Sequence, residues 1–154
     1  MKEALAVFPE NVWLNIHLKG GAELGKKTTE VVLKEGRIKQ SFLACGEEAA
    51  AAAKTVTTEI MICNMERQRD RAVYVSETIE KKSIFIQLLK RRGTQELEQE
   101  ISVLKRNDIR VNYCCTDAPE EVKTLFESGV DFILVNELSI MLDVAAAAGV
   151  KPLQ

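Results

Sequence analysis

Apolar and polar positions alternate along Val12-Trp13-Leu14-Asn15-Ile16-His17-Leu18-Lys19, placing Val12, Leu14, Ile16 and Leu18 on one face and Trp13, Asn15, His17 and Lys19 on the other. That period of two predicts a strand with an apolar back and a polar front. Lys2 to Phe8 before it reads as a short helix closed by Pro9. After Lys19-Gly20-Gly21 a helix is predicted from Ala22 to Glu35, burying Leu24, Val31 and Val32 and stopping at Gly36. Arg37 to Cys45 reads as strand, and Gly46-Glu47-Glu48 opens a helix whose Ala49 to Ala53 face is slim enough to pack close to a sheet. Glu59 to Met65 is a short apolar run of the kind a buried parallel strand shows, followed by a polar helix from Arg69 to Lys82.

The second half repeats the alternation. Ile84 to Leu89 reads as strand, Thr94 as the cap of a helix with Leu97, Ile101 and Leu104 on one side, and Ile109 to Cys115 as strand. Asp117-Ala118-Pro119-Glu120 starts a helix with Val122, Leu125 and Phe126 inward and Gly129 as its stop. Phe132 to Val135 is the last strand, and Asn136 leads through Leu142 and Val144 to Gly149. Strand and helix alternate about six times with a repeat of roughly 25 residues, which predicts an α/β fold of parallel strands joined by right-handed crossovers. No domain boundary interrupts residues 1–154. An open doubly wound sheet and a closed (β/α) barrel both satisfy this string, and both place reactive groups at the C-terminal ends of strands.

Composition narrows the function classes. A chain of 154 residues with 46% hydrophobic and 29% charged residues has the make-up of one soluble globular domain. A formal charge of -2, with Lys90-Arg91-Arg92 as a short isolated cluster, supplies no field for nucleic acid. No apolar run approaches the roughly 20 residues of a membrane span, and Met1-Lys2-Glu3-Ala4-Leu5 has no signal-peptide core, so the chain reads as cytoplasmic. Cys45, Cys63, Cys114 and Cys115 lack CxxC spacing and have one histidine for company, the pattern of reduced thiols rather than of a zinc site. Neither GxGxxG nor a P-loop is present.

Three motifs carry a resemblance. Asn15-Ile16-His17-Leu18-Lys19 is similar to the third-strand Asn-Ile-Glu-Ile/Leu-Lys of the glycerophosphodiester phosphodiesterases, which are TIM-barrel hydrolases. Arg110-Val111-Asn112-Tyr113-Cys114-Cys115-Thr116-Asp117 resembles that family's seventh strand, and Gly129-Val130-Asp131-Phe132-Ile133-Leu134-Val135-Asn136 its closing strand. The likeness spans the third to eighth βα units. It implies a TIM-barrel-type fold of about six parallel strands with surrounding helices, lacking two N-terminal units. The activity it implies is metal-dependent hydrolysis of glycerophosphodiesters to glycerol 3-phosphate and an alcohol, with Mg²⁺ or Ca²⁺ as cofactor.

By that resemblance Lys19 is the catalytic lysine facing a phosphate oxygen, with Asn15, Gly20 and Cys114 contacting substrate. His17 stands where the family has a metal-binding Glu, and an imidazole suits hard cations poorly. Cys114 stands where the family has an inward tryptophan. The family's His-Arg-Gly, Glu-Asn-Thr, Glu-x-Asp and His-Asp motifs are absent. Without an acid and base in reach of each other, this chain is expected to be inactive or impaired. The alternatives are a pseudoenzyme keeping a phosphate pocket at Lys19 and the Gly20-Gly21 amides, or a truncated or engineered barrel with a structural role. Other polar residues near strand ends are Asn64, Glu66, Gln87, Asp117, Asn136 and Glu137, with Asp117 and Asn136 read as helix caps and Glu66 as a solvated loop residue. Six strands leave sheet edges unsatisfied, so a homo-oligomer joined through those edges, or a rearranged barrel, is expected.

Overall fold

The computed structural model describes residues 1–90 and 95–151. The expected Thr94 cap, and Arg91 and Arg92 of the basic cluster, lie outside the described residues. Six strands in sequence order, β1-β2-β3-β4-β5-β6, alternate with helices, which is the (β/α) repeat of a TIM-type barrel with six units in place of eight. No helix among the described residues is long and apolar enough to cross a membrane. The chain divides into two compact units.

The first unit, Met1–Arg67 with Ser83–Phe85, holds α1 (Lys2–Val7), β1 (Leu14–His17), α2 (Ala22–Lys34), β2 (Ser41–Cys45), α3 (Glu47–Val56) and β3 (Met61–Asn64). β1 pairs in parallel with β2 and β2 with β3, aligning Ile16 with Leu43 and Ala44 with Cys63. Leu14, Val32, Leu43, Cys45, Ala49 and Ile62 fill the layer between strands and helices. The opposite strand face carries rings: Phe42 stacks on Phe85 with centroids 4.1 Å apart, and Trp13 meets Phe85 edge-on at 5.6 Å.

Two expectations change here. Arg37 to Gln40 is not strand; Ile38–Gln40 forms a 3-10 turn, because Arg37 donates to the carbonyls of Leu5 and Phe8 while Gln40 donates to those of Pro9 and Val12, tying the segment to the α1–β1 connection. Leu24 is 42% exposed instead of buried, and lies over Gly20, where an added Cβ would come within 2.9 Å of its Cδ2. The slim face of α3, buried in the core beside β2 as expected, also packs closely on α2: a Cβ on Gly25 of α2 would stand 2.3 Å from the Ala49 carbonyl oxygen.

The second unit, Gln68–Lys82 with Ile86–Gln154, holds α4 (Arg71–Glu80), most of β4 (Phe85–Leu89), α5 (Gln95–Arg106), β5 (Arg110–Cys114), α6 (Pro119–Glu127), β6 (Phe132–Leu134) and α7 (Leu138–Ala147). Tyr74, Ile86, Leu88, Ile101, Leu104 and Val111 are fully buried together, and β5 pairs in parallel with β6. Gly129 and Gly149 stop their helices with φ of 98° and 74°, a backbone region where a side chain is strained. On α7 Met141 is buried and Leu142 is 59% exposed.

Candidate functional site

The polar front of β1 exists as read. Leu14 is buried, Asn15 and His17 are exposed, and Ile16 is half-buried against the core, so the strand's period of two sets which side chains reach solvent. Leu18 continues the ladder, its N–H donating to Ala44 at 2.9 Å. Lys19 and Gly20 follow at the strand's C-terminal end, both exposed, and Gly21 begins α2. Asn15, His17, Lys19 and Gly20 thus fall on one strand end within the first unit. Beside them runs a groove of about 390 Å³ with apolar walls from Leu5, Phe8, Trp13 and Ile16 and with Asn15 and His17 as its polar members.

Acid groups that the sequence reading treated lightly lie at the starts of the helices that follow β1 and β2. A Cβ on Gly21 would lie 2.7 Å from Glu48 Oε2, which places that carboxylate against the start of α2. Glu66, expected as a solvated loop residue, instead accepts the Glu47 N–H at 3.1 Å at the start of α3, where a negative group is favoured by the unpaired amides of the helix end. Its own N–H donates to Asn64 Oδ1 at 3.0 Å, which holds the loop in place. Nothing in the linear spacing of Glu48 or Glu66 signals these positions, because each acid serves a helix end that only the parallel strand order brings beside it.

In the second unit the strand ends carry a different chemistry. Glu121, in the first turn of α6, accepts from Lys90 Nζ at 2.5 Å, from Thr116 Oγ1 at 2.5 Å and from Tyr113 Oη at 3.4 Å. Burial raises its carboxyl pKa, but the combined donors outweigh that and hold it below the usual range. Asp117 was read as the cap of the helix that follows it. Thr116 takes part of that role by accepting the Ala118 N–H, while Asp117 receives the Asn136 side chain and the N–H groups of Asn136 and Glu137 at the start of α7. The Asn136 side-chain contact, then those backbone amides, keep the Asp117 carboxyl well ionised. Asn136 is therefore a donor to the cap rather than the cap itself.

Cys114 closes β5, half-buried, and burial followed by contact with Cys115 pushes its thiol up to about 11. On the preceding strand-facing position Asn112 is fully buried, donates from Nδ2 to Gln87 Oε1 at 3.1 Å, and keeps an Oδ1 with no protein partner. Among the described residues, no three His, Cys, Asp or Glu side chains converge in a way that could hold a metal ion. The imidazole of His17 is a poor ligand for a hard divalent cation, which takes six or more oxygen ligands from carboxylates, carbonyls and water.

No family model matches the chain, and no curated protein matches it. Solved structures do. The chain superposes with a TM-score of 0.74 on a protein assigned as a glycerophosphoryl diester phosphodiesterase from Silicibacter pomeroyi, at 10% identity, covering 90% of this chain and 52% of that one. A glycerophosphodiester phosphodiesterase from Parabacteroides distasonis gives a TM-score of 0.68 at 12% identity, covering 88% of this chain and 57% of that one. This chain thus spans a little over half the length of these structures, and at such identities the likeness is one of fold.

Proposed function

We propose, from the fold shared with these phosphodiesterases, that the chain binds a small phosphate ester at the C-terminal end of β1 and does not by itself hydrolyse it. The observation that carries the reading is Lys19, an exposed cation at the strand end, between the polar pair Asn15 and His17 and the start of α2. A lysine there offsets the charge of a phosphate oxygen as a point charge, and the carboxamide of Asn15 can donate to a second oxygen. Gly20 belongs to this reading through the family resemblance, the space beside its Cα being taken by Leu24. Cys114 belongs to this reading only through the family resemblance, as a shorter wall in place of a tryptophan.

Hydrolysis of a phosphodiester needs a nucleophile, proton transfer to the leaving alkoxide and stabilisation of charge on the phosphoryl group. His17 is the sole histidine, and no described carboxylate shares a hydrogen bond with it. The divalent cation of the family has no matching donor set among the described residues. Lys19 alone supports binding and charge neutralisation. Glu48 works against the anion, because its carboxylate lies against Gly21 and the start of α2.

The test is a thermal-shift titration with glycerol 3-phosphate, glycerophosphocholine and inorganic phosphate. Binding raises Tm in proportion to ligand excess, Lys19→Ala abolishes the rise, and Glu48→Gln tightens binding several-fold. An unchanged response in Lys19→Ala removes the site from Lys19. Release of glycerol 3-phosphate from glycerophosphocholine with Mg²⁺ or Ca²⁺ present, lost in Lys19→Ala, would reinstate the hydrolase.

A further inference from the structure

We infer that the open edge of β1 is a docking site for the β6–α7 end of a second copy of this chain. β1 and β6 are the two ends of the strand order, so each copy carries one of each. Leu18 directs its N–H to Ala44 of β2, and the alternation of a parallel ladder then turns the N–H and C=O groups of Asn15 and His17 away from β2. Edge strands are ordinarily protected by lysine, proline or a bulge, and Leu14-Asn15-Ile16-His17 contains neither residue. The apolar groove of about 390 Å³ lies along this same edge.

The opposite end supplies what such an edge would accept. β6 is Phe132-Ile133-Leu134, again without lysine or proline, with Leu134 37% exposed. On α7, Leu138, Ile140 and Leu142 are 60%, 54% and 59% exposed, and Asp143 is the only charged residue of the helix. Leu138 and Leu142, about one helical turn apart, share a face of α7, and apolar exposure of this kind is uncommon on a face meant for water.

Charge selects the pairing. The C-terminal end of β1 carries His17 and Lys19, and Lys19 makes no ion pair among the described residues; the C-terminal end of β6 is followed by Glu137, beside the Asp117 carboxylate. Parallel addition of β6 to β1 brings Lys19 opposite Glu137, whereas β1 against β1 would gain no opposite charge. The contact is heterologous, one patch meeting a different patch.

Light scattering after gel filtration of the full chain tests it. The wild type is expected to exceed the monomer mass as concentration rises. Asn15→Pro, which removes an outward-directed N–H, and Leu138→Lys with Leu142→Lys, which charges α7, each give a monomer with wild-type far-ultraviolet circular dichroism. Mixing these two variants restores a one-to-one complex, because each retains the patch the other lacks. A wild type that stays monomeric overturns the inference. So does an α7 variant that still self-associates, which would place the contact at β1 against β1, and so does failure of the two folded variants to combine.

Discussion

Gly25 gives the sharpest residue-level consequence. Its missing side chain lets α2 approach α3 until the Ala49 carbonyl would sit 2.3 Å from a Cβ, and Thr29 donates back to the Gly25 carbonyl at 2.8 Å on the same buried side. Alanine is the better helix former by about 1 kcal/mol, but overpacking costs about 1–3 kcal/mol and must move backbone rather than a side chain. Gly25→Ala is therefore expected to lower the urea midpoint without changing the slope of the transition. A surface glycine effect would instead raise it. The four cysteines separate in the same way. Burial pushes the Cys63 thiol well up and Cys45 up to about 11, while Cys115 is exposed. A thiol reagent at mildly alkaline pH is expected to label Cys115 first and to reach Cys45 and Cys63 only after denaturant, with labelled peptides identified by mass spectrometry.

At the scale of elements, α6 is anchored by Glu121, which accepts from Lys90 and Thr116, and the start of α7 by Asp117, which accepts from Asn136 and Glu137. Both carboxyls are held below their ordinary values, so their contributions are complete above the unfolded carboxylate range and disappear as pH falls through the lower folded values. Acid denaturation should therefore begin below the ordinary carboxylate range and be followed by loss of helical circular dichroism. Glu121→Gln removes the charge that Lys90 and Thr116 address; with Lys90 half exposed, about 1 kcal/mol is expected at neutral pH, and the acid dependence should flatten. The order and type of the strands and of the long helices were legible from periodicity. The Arg37 to Gln40 stretch was not, because its apolar pattern suits a strand and its conformation follows from side-chain bonds to carbonyls 28 to 32 residues away. Asp117 shows the same limit: its residue type announces a cap, and only the neighbouring strand decides which helix receives it.

For the whole molecule, the donor set predicts indifference to chelators. EDTA is expected to leave Tm unchanged, and His17→Glu alone is expected to gain no tight Mg²⁺ or Ca²⁺ site by calorimetry, since one carboxylate falls short of the oxygen shell these ions need. Cation binding by that variant would reveal further ligands converging on β1. The sequence by itself determined the repeat: periods of two and 3.6 are local properties of the backbone, so strand, helix and the polar front of Asn15, His17 and Lys19 could be read without any long-range contact. Tertiary structure decided which groups share a space. The Glu48 carboxylate against Gly21, Glu66 at the start of α3 and the Gly25–Ala49 approach all join residues far apart in the chain. Such contacts depend on strand order and close packing, which leave no mark on spacing along the sequence.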